Sequence, residues 1–351
     1  MTVSDSWLHK NDEPPLVCIC VPTYNAASTV RETLESILNQ TYPNLIVHIS
    51  DNASNDDTVE IIQSMADPRV VIHRHAENVG GEGNFNRCIQ IAEGKYTAIF
   101  HADDIYEPDM VTKQVAFLEA NLEAGAVFTE ASTIDERGNK IGEIRLPKDI
   151  KYKNGLFDFT TMFKAVLRHY NFFICPSVMV RTHVYQQEIK SWQGDIFKSS
   201  ADLDLWLRIL QHHSVGYLQE RLMRYRISNN QFSARVRLGT ERADFFLVID
   251  HYLAQELVRG ILVATDLKNY RWLDRRDRVM RAVNLFITGY SKHAKELIHD
   301  IFSWDALIAA LKTKRGAFAL LIGMYVNFLV LLRLNKLGQL SLSYMKHVIR
   351  K

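Results

Sequence analysis

The chain has 351 residues, 47% of them hydrophobic, enough for one large α/β domain and a smaller element to bury a core without disulfide or metal staples. Its 42 Lys and Arg against 40 Asp and Glu leave a net charge of +2, which excludes the polybasic field of a nucleic-acid binder. The four cysteines, Cys18, Cys20, Cys88 and Cys175, lack metal-knuckle spacing and read as reduced core thiols of a cytosolic protein.

Residues 1–15 contain no apolar stretch of signal-peptide length and read as an N-terminal extension of a cytoplasmic protein. Residues 16–21 (LVCICV) form an apolar, partly β-branched run, as expected of a strand buried on both faces. Thr29 and Glu32 match a capping box, after which Val30, Leu34, Ile37 and Leu38 share one helical face. Tyr42-Pro43-Asn44 stops that helix, and residues 45–49 read as a second strand, completing a right-handed βαβ unit. The alternation continues with a helix over 58–65, a strand over 70–73, a helix over 84–92 and a strand over 96–100. Gly80-Gly81-Glu82-Gly83 lacks the Lys and Ser/Thr of a P-loop and reads as the turn before a helix. Pro108 suits a first helical turn, 111–120 continues that helix, and 126–128 is a short strand. Residues 131–170 look irregular apart from a hairpin turn at Arg137-Gly138-Asn139, before a strand over 177–180. From about 240 onward strand signals fade into helices, which places a domain change near 235: a catalytic domain over 16–235 and a helical region over 236–351.

In open α/β sheets ligands bind beyond the carboxyl ends of the strands, so acids that follow strands belong to one candidate site. Asp51 follows the second strand, Asp103 and Asp104 follow the strand ending at Phe100, and Asp202 begins a Trp-containing helix. A departing nucleotide diphosphate needs a hard cation on carboxylate ligands, and an inverting transfer needs a separate base for the acceptor hydroxyl. Each acid also has a bland reading: an Asx turn for Asp51 and Asn52, a solvated capping turn for Asp103 and Asp104, and a helix cap for Asp202, with Asp204 as rival base.

Val21-Pro22-Thr23-Tyr24-Asn25 and the run from Asp51 to Thr58 resemble the opening of family-two glycosyltransferases with the GT-A fold. Glu77-Asn78-Val79-Gly80, Ala92 to Tyr96, Ala102-Asp103-Asp104, Pro176 to Arg181 and Asp202 to Arg208 resemble that family's later blocks, in order, over roughly 16–233. The resemblance implies a Rossmann-like α/β sheet with a helical C-terminal region, and an inverting transfer from a nucleotide-diphosphate sugar, a UDP-sugar being favoured. It also implies that Pro22, Thr23, Tyr24, Asn25, Asp51, Asn78 and Asp103 bind the donor. Asp104 and Asp103 would hold Mn²⁺ or Mg²⁺, Asp202 would be the catalytic base, and Trp206 and Arg208 would buttress its helix. The implied acceptor is a saccharide or lipid-linked saccharide in cell-surface polysaccharide or glycolipid assembly. Three positions depart from the pattern: His101 stands where aspartate is common, Ala201 where glutamate is frequent, and Ser228 where many relatives carry histidine, so the third metal contact is unassigned. The rival readings are a nucleotidyltransferase on the same sheet, or a degenerate member that binds nucleotide sugar without turnover.

Residues 316–332 (GAFALLIGMYVNFLVLL) are apolar nearly all round and flanked by Lys312, Lys314, Arg315, Arg333 and Lys336. Packing into a core or a homodimer, attachment to a membrane surface and a membrane span all suit that composition. The basic run RWLDRRDRVMR over 271–281 adds a candidate lipid-facing cluster at the inner face of the plasma membrane.

Overall fold

An apolar strand with no polar face must be covered on both sides, and this sets the architecture. The computed structural model describes residues 13–150, 155–228, 239–301, 303–311 and 314–350. Strand β1 (Val17–Thr23) has no residue of Val17 to Val21 more than 1% exposed. It pairs in parallel with β2 (Leu45–Asp51) on one side and β4 (Tyr96–Ile99) on the other, while β3 (Val70–Arg74) extends the sheet beyond β2. The crossovers are α1 (Val30–Leu38), α2 (Thr58–Ser64) and α3 (Gly80–Ile91); Val30, Leu34 and Ile37 of α1 face the core. Because β1 continues outward to β2 and the later β4 returns to its other side, a crevice opens at the carboxyl ends of β1 and β4.

The second half of the sheet uses β5 (Ile105–Tyr106), α4 (Met110–Ala120), β6 (Ala124–Ile134), β7 (Lys140–Ile144), β8 (Leu156–Phe157), α5 (Phe159–His169), β9 (Met179–Arg181), α6 (Gly194–Phe197), α7 (Ala201–His212) and β10 (Ser214–Arg226). The order is β3-β2-β1-β4-β9-β6-β10-β5, with β7 on β6 and β8 on β10; β9 runs antiparallel to both its neighbours. The expected alternation and helical tail are present, with local differences. The Thr29 hydroxyl makes no cap bond to its helix and instead donates to the Ala102 carbonyl (2.9 Å), so the capping box does not form. The glycine run is the first turn of α3, not the turn before it. β6 extends to eleven residues, since pairing with β7, β9 and β10 overrides the weak strand propensity of its Ala and Gly residues. The stretch read as irregular contains α5, whose Phe159, Met162, Phe163 and Val166 recur at helical spacing. Register shifts around Arg221 break the alternation of β10 and hide it from a period-two reading.

The chain divides into two compact units: the chain up to Phe163 with Asn171–Ser228, and Lys164–Tyr170 with the chain from 239 onward. The boundary expected near 235 and residues 1–12 of the expected extension lie outside the described residues. The second unit holds α8 (Phe245–Ala254), α9 (Glu256–Gly260), α10 (Ala264–Ile287), α11 (Ser291–Leu297), α12 (Trp304–Leu311), α13 (Lys314–Leu331) and α14 (Asn335–Arg350). Its core joins Val279, Phe286, Ile298, Leu320, Val326 and Leu342. The 271–281 run is not a free cationic cluster: Arg275 and Arg278 pair with Asp300, and Arg281 pairs with Asp277 at 2.7 Å. Among the described residues no helix is long and apolar enough to cross a membrane.

Gly94 before β4 sits at φ +74°, and an added Cβ would lie 2.5 Å from the Leu16 carbonyl oxygen. Gly94→Ala therefore meets both a left-handed backbone and a fixed main-chain atom. The expected cost is about 1–3 kcal/mol of stability, read as a lower urea midpoint with unchanged m-value.

Candidate active site

The carboxyl ends of β1, β2 and β4 bring Thr23, Asp51 and the 101–104 turn to one edge of the sheet. Asp51 is fully buried. Its carboxylate accepts from the Ser54 hydroxyl (2.5 Å), the Ser54 amide (3.1 Å) and the Thr23 hydroxyl (3.4 Å), and lies 3.4 Å from Arg74 Nε. Asp51 is thus an Asx-type anchor for the loop to α2. Asn25, left-handed at φ 50°, bridges to the same loop: its amide donates to the Ser54 hydroxyl, and its side-chain oxygen accepts from the Asn55 amide. Tyr24 beside it is 49% exposed, and Pro22 is part-buried. Asn52 Nδ2 donates to Asn78 Oδ1 (3.0 Å), and Asn78 Oδ1 also accepts from the Gly80 amide, which ties this loop to the start of α3.

The acidic turn is held from the end of β10. Asp104 is buried, and its Oδ1 accepts from the Arg226 amide at 2.8 Å. The Arg226 guanidinium donates to the Asp103 carbonyl (2.8 Å), to the Asp135 and Glu136 carbonyls (3.2 Å each) and to Glu32 (2.6 Å). Tyr106 closes the turn: its hydroxyl accepts from the His101 amide at 2.7 Å, and its ring stacks on Phe100. His101, Asp103 and Asp104 offer three ligand atoms within 4.8 Å of one another. Two of those side chains carry buried atoms with no hydrogen-bond partner among the described residues, His101 Nε2 and Asp104 Oδ2. Burial, and then the charge of Asp103, push the Asp104 carboxyl well above the ordinary range against the pull of Arg226. Burial pushes the His101 imidazole down, opposed by Asp103. Two oxygen donors, one nitrogen donor and an uncompensated acid form a donor set that fits a divalent cation.

Asp202 opens α7 and lies on the wall of a cavity of about 180 Å³ that it shares with His101, Asn171, Cys175, Pro176 and Tyr225. Its oxygens accept from the Leu203 amide (2.7 Å) and from Asn171 Nδ2 (3.2 Å). Burial pushes its carboxyl up to about 6, with these two donors pulling the other way. Asp204, the rival acid, is buried and bound by Arg208 at 2.8 Å, while Arg208 also donates to the Ile189 and Ser191 carbonyls. Trp206 is buried edge-on against Phe128 and is part of the core. All four cysteines are free thiols. Sequence reasoning missed Arg226 and Asn171, because neither lies near an acid in the chain; Arg226 is more than a hundred positions from Asp104. It left open whether His101 alters the metal preference or packs beneath the site.

A fold of this topology with such a site has recognisable relatives. Residues 18–187 match the model of glycosyl transferase family 2. An uncharacterised glycosyltransferase of Methanocaldococcus jannaschii is 30% identical over 234 residues, covering 64% of this chain and 76% of that protein. The Escherichia coli UDP-Glc:alpha-D-GlcNAc-diphosphoundecaprenol beta-1,3-glucosyltransferase WfaP is 29% identical over 196 residues, covering 56% of this chain and 70% of its own. The chain belongs to glycosyl transferase family 2 and is a glycosyltransferase. Among solved structures, Staphylococcus aureus TarS 1-349 in complex with UDP-GlcNAc superposes with a TM-score of 0.58 at 14% identity, over 88% of this chain and 90% of that one. The mannosyltransferase PcManGT of Pyrobaculum calidifontis, in complex with GDP-Man and Mn²⁺, gives 0.52 at 17% identity, over 95% and 91%. Both share the GT-A fold.

Arg226 is 5% exposed. Arg226→Ala removes the guanidinium bonds to the Asp103, Asp135 and Glu136 carbonyls and to Glu32, at an expected cost of about 2–3 kcal/mol by urea unfolding. Arg226→Lys recovers only part of this, since one ammonium cannot span the same acceptors.

Proposed function

We propose that this glycosyltransferase works by inversion, with a divalent metal, and moves a sugar from a UDP-sugar to a saccharide or lipid-linked saccharide in cell-surface polysaccharide or glycolipid assembly at the cytoplasmic face. The observation that carries this is the cavity whose walls include both His101 of the acidic turn and the raised-pKa carboxyl of Asp202. A cavity that reaches both the metal-ligating turn, through His101, and the Asp202 carboxyl suits an in-line displacement.

In this reading Asp103 and Asp104 hold Mn²⁺ or Mg²⁺, with His101 as the third protein ligand in place of the missing histidine at Ser228. The metal, when bound, neutralises charge building on the departing diphosphate. Pro22, Thr23, Tyr24, Asn25 and Asn78 border the nucleotide, with Tyr24 offering an exposed ring to the base. Asp51 acts through the loop that it anchors. Asp202 takes the proton of the acceptor hydroxyl as that oxygen bonds to the anomeric carbon and the bond to the diphosphate breaks. Asn171 orients Asp202, and the helix bearing it is braced by Trp206 and the Asp204–Arg208 pair. The catalytic domain of this proposal is 16–235, with 236–351 as an accessory region. The names of WfaP and of the TarS complex support a UDP-sugar donor, and the WfaP name supports a diphosphoundecaprenol-linked acceptor. The PcManGT complex supports the metal and keeps GDP-sugars on the test panel.

Donor binding and turnover over UDP-, GDP- and dTDP-sugars, with Mn²⁺, Mg²⁺ or EDTA, test this reading. Asp104→Ala is expected to lose metal-dependent donor binding. Asp202→Asn is expected to bind donor while kcat falls by about a hundred- to ten-thousandfold. Donor binding by wild type that EDTA leaves unchanged overturns the metal assignment, and full turnover by Asp202→Asn overturns the base.

The base acts only when ionised, so kcat/KM is expected to rise with pH through a limb near 6, the position to which burial moves Asp202. Asn171→Ala removes a bond that favours the carboxylate, and its limb is expected to move to higher pH. His101→Asp replaces an imidazole ligand by a carboxylate and is expected to shift the affinity ratio several-fold from Mn²⁺ toward Mg²⁺, read by metal titration without donor.

A further inference from the structure

The second unit leaves a large part of its apolar surface in water. Its core takes Ala310 from α12, Leu320, Val326 and Leu329 from α13, and Leu342 from α14, so these three helices turn one face inward to the same cluster. The close approach of α14 depends on Gly338, where an added Cβ would lie 2.4 Å from the Phe286 ring. Their outer faces are apolar as well. On α13, Leu321, Met324, Phe328 and Leu331 recur at helical spacing and are 47% to 63% exposed. Trp304 and Leu311 on α12, and Leu340 and Tyr344 on α14, are 70% to 79% exposed. Rows of this kind on neighbouring helices exceed the scattered exposed apolar residues of an ordinary surface and mark a contact face.

Charge decides what meets it. Residues 304–351, which carry α12 to α14, contain eight Lys or Arg and one acid, Asp305, inside a chain whose total is only +2, so the remainder is net negative. Arg333, left-handed at φ 56° in the turn joining α13 to α14, and Lys336, in the first turn of α14, are exposed. A second copy of the same face would bring two such cationic segments together and be repelled. An anionic bilayer is attracted by the cations and accepts the apolar side chains between its headgroups.

We infer that the outer faces of α12, α13 and α14 dock on an anionic phospholipid surface, the helices lying in the interface. No described helix is both long and apolar enough to span, which suits this placement. The inference does not rest on the transferase reading, because it concerns binding with no donor present. It differs from a lipid-facing role for the 271–281 run, whose paired arginines are engaged within the unit.

The test is co-sedimentation of the full chain, without nucleotide, with vesicles of phosphatidylcholine alone or mixed with phosphatidylglycerol, alongside sedimentation velocity without lipid. Binding is expected only to the phosphatidylglycerol vesicles and is expected to fall with salt. The pair Arg333→Glu and Lys336→Glu is expected to weaken it about tenfold or more. Leu321→Glu with Phe328→Glu, both at exposed positions, is expected to abolish it while circular dichroism and UDP binding stay as in wild type. Equal binding to uncharged vesicles, no binding to either, or a dimer that the Leu321 and Phe328 substitutions dissociate without any lipid binding would overturn the inference. If the double glutamate variant fails to fold, the charge pair and the salt series decide.

Discussion

The candidate site depends on one buried cation. Arg226, at the end of the last strand of the sheet, gives its amide to Asp104 and its guanidinium to the backbone of Asp103, to two carbonyls of the β6–β7 turn and to Glu32 of the first helix. A carboxylate as buried as that of Asp104 is costly to keep without a compensating positive charge. Arg226 supplies part of that charge from behind the turn, and what it leaves uncompensated faces His101 and Asp103. The turn is therefore braced by a residue more than a hundred positions away in the chain.

Two acids in the unit respond to burial in different ways. Asp51 is as buried as Asp104, yet both its oxygens have partners in Thr23, Ser54 and Arg74, which hold the loop that carries Asn52 and reaches Asn25. Asp202 has two donors and an open side on the cavity, and its carboxyl sits near neutrality. Asp204, two residues on, is neutralised by Arg208. Burial alone does not separate these roles; the number and placement of donors does.

The helical unit follows another rule. Its inner faces are closed by ordinary apolar packing, with Gly338 letting α14 approach Phe286, and its interior arginines on α10 are consumed by Asp274, Asp277 and Asp300. Beside its apolar outer faces Arg333 and Lys336 are exposed. Composition offered two basic clusters, the residues flanking 316–332 and the 271–281 run; ion pairing engages Arg275, Arg278 and Arg281 of the second.

By itself the sequence determined the alternating parallel half of the sheet, because an unbroken apolar run such as LVCICV can only be a strand covered on both sides, and because Val30, Leu34 and Ile37 repeat at helical spacing. It also determined which acids stand at strand ends, hence Asp103, Asp104 and Asp202 as candidates, and the order of blocks that places the chain in its family. Only the tertiary structure decided what depends on distant partners. The long β6 and bulged β10 have weak local propensity and exist through their mutual pairing. Thr29, which matches a cap by local spacing, is drawn to the Ala102 carbonyl. Arg226 and Asn171 enter the site because the fold brings them there, and no local pattern in the chain encodes a contact between residues so far apart.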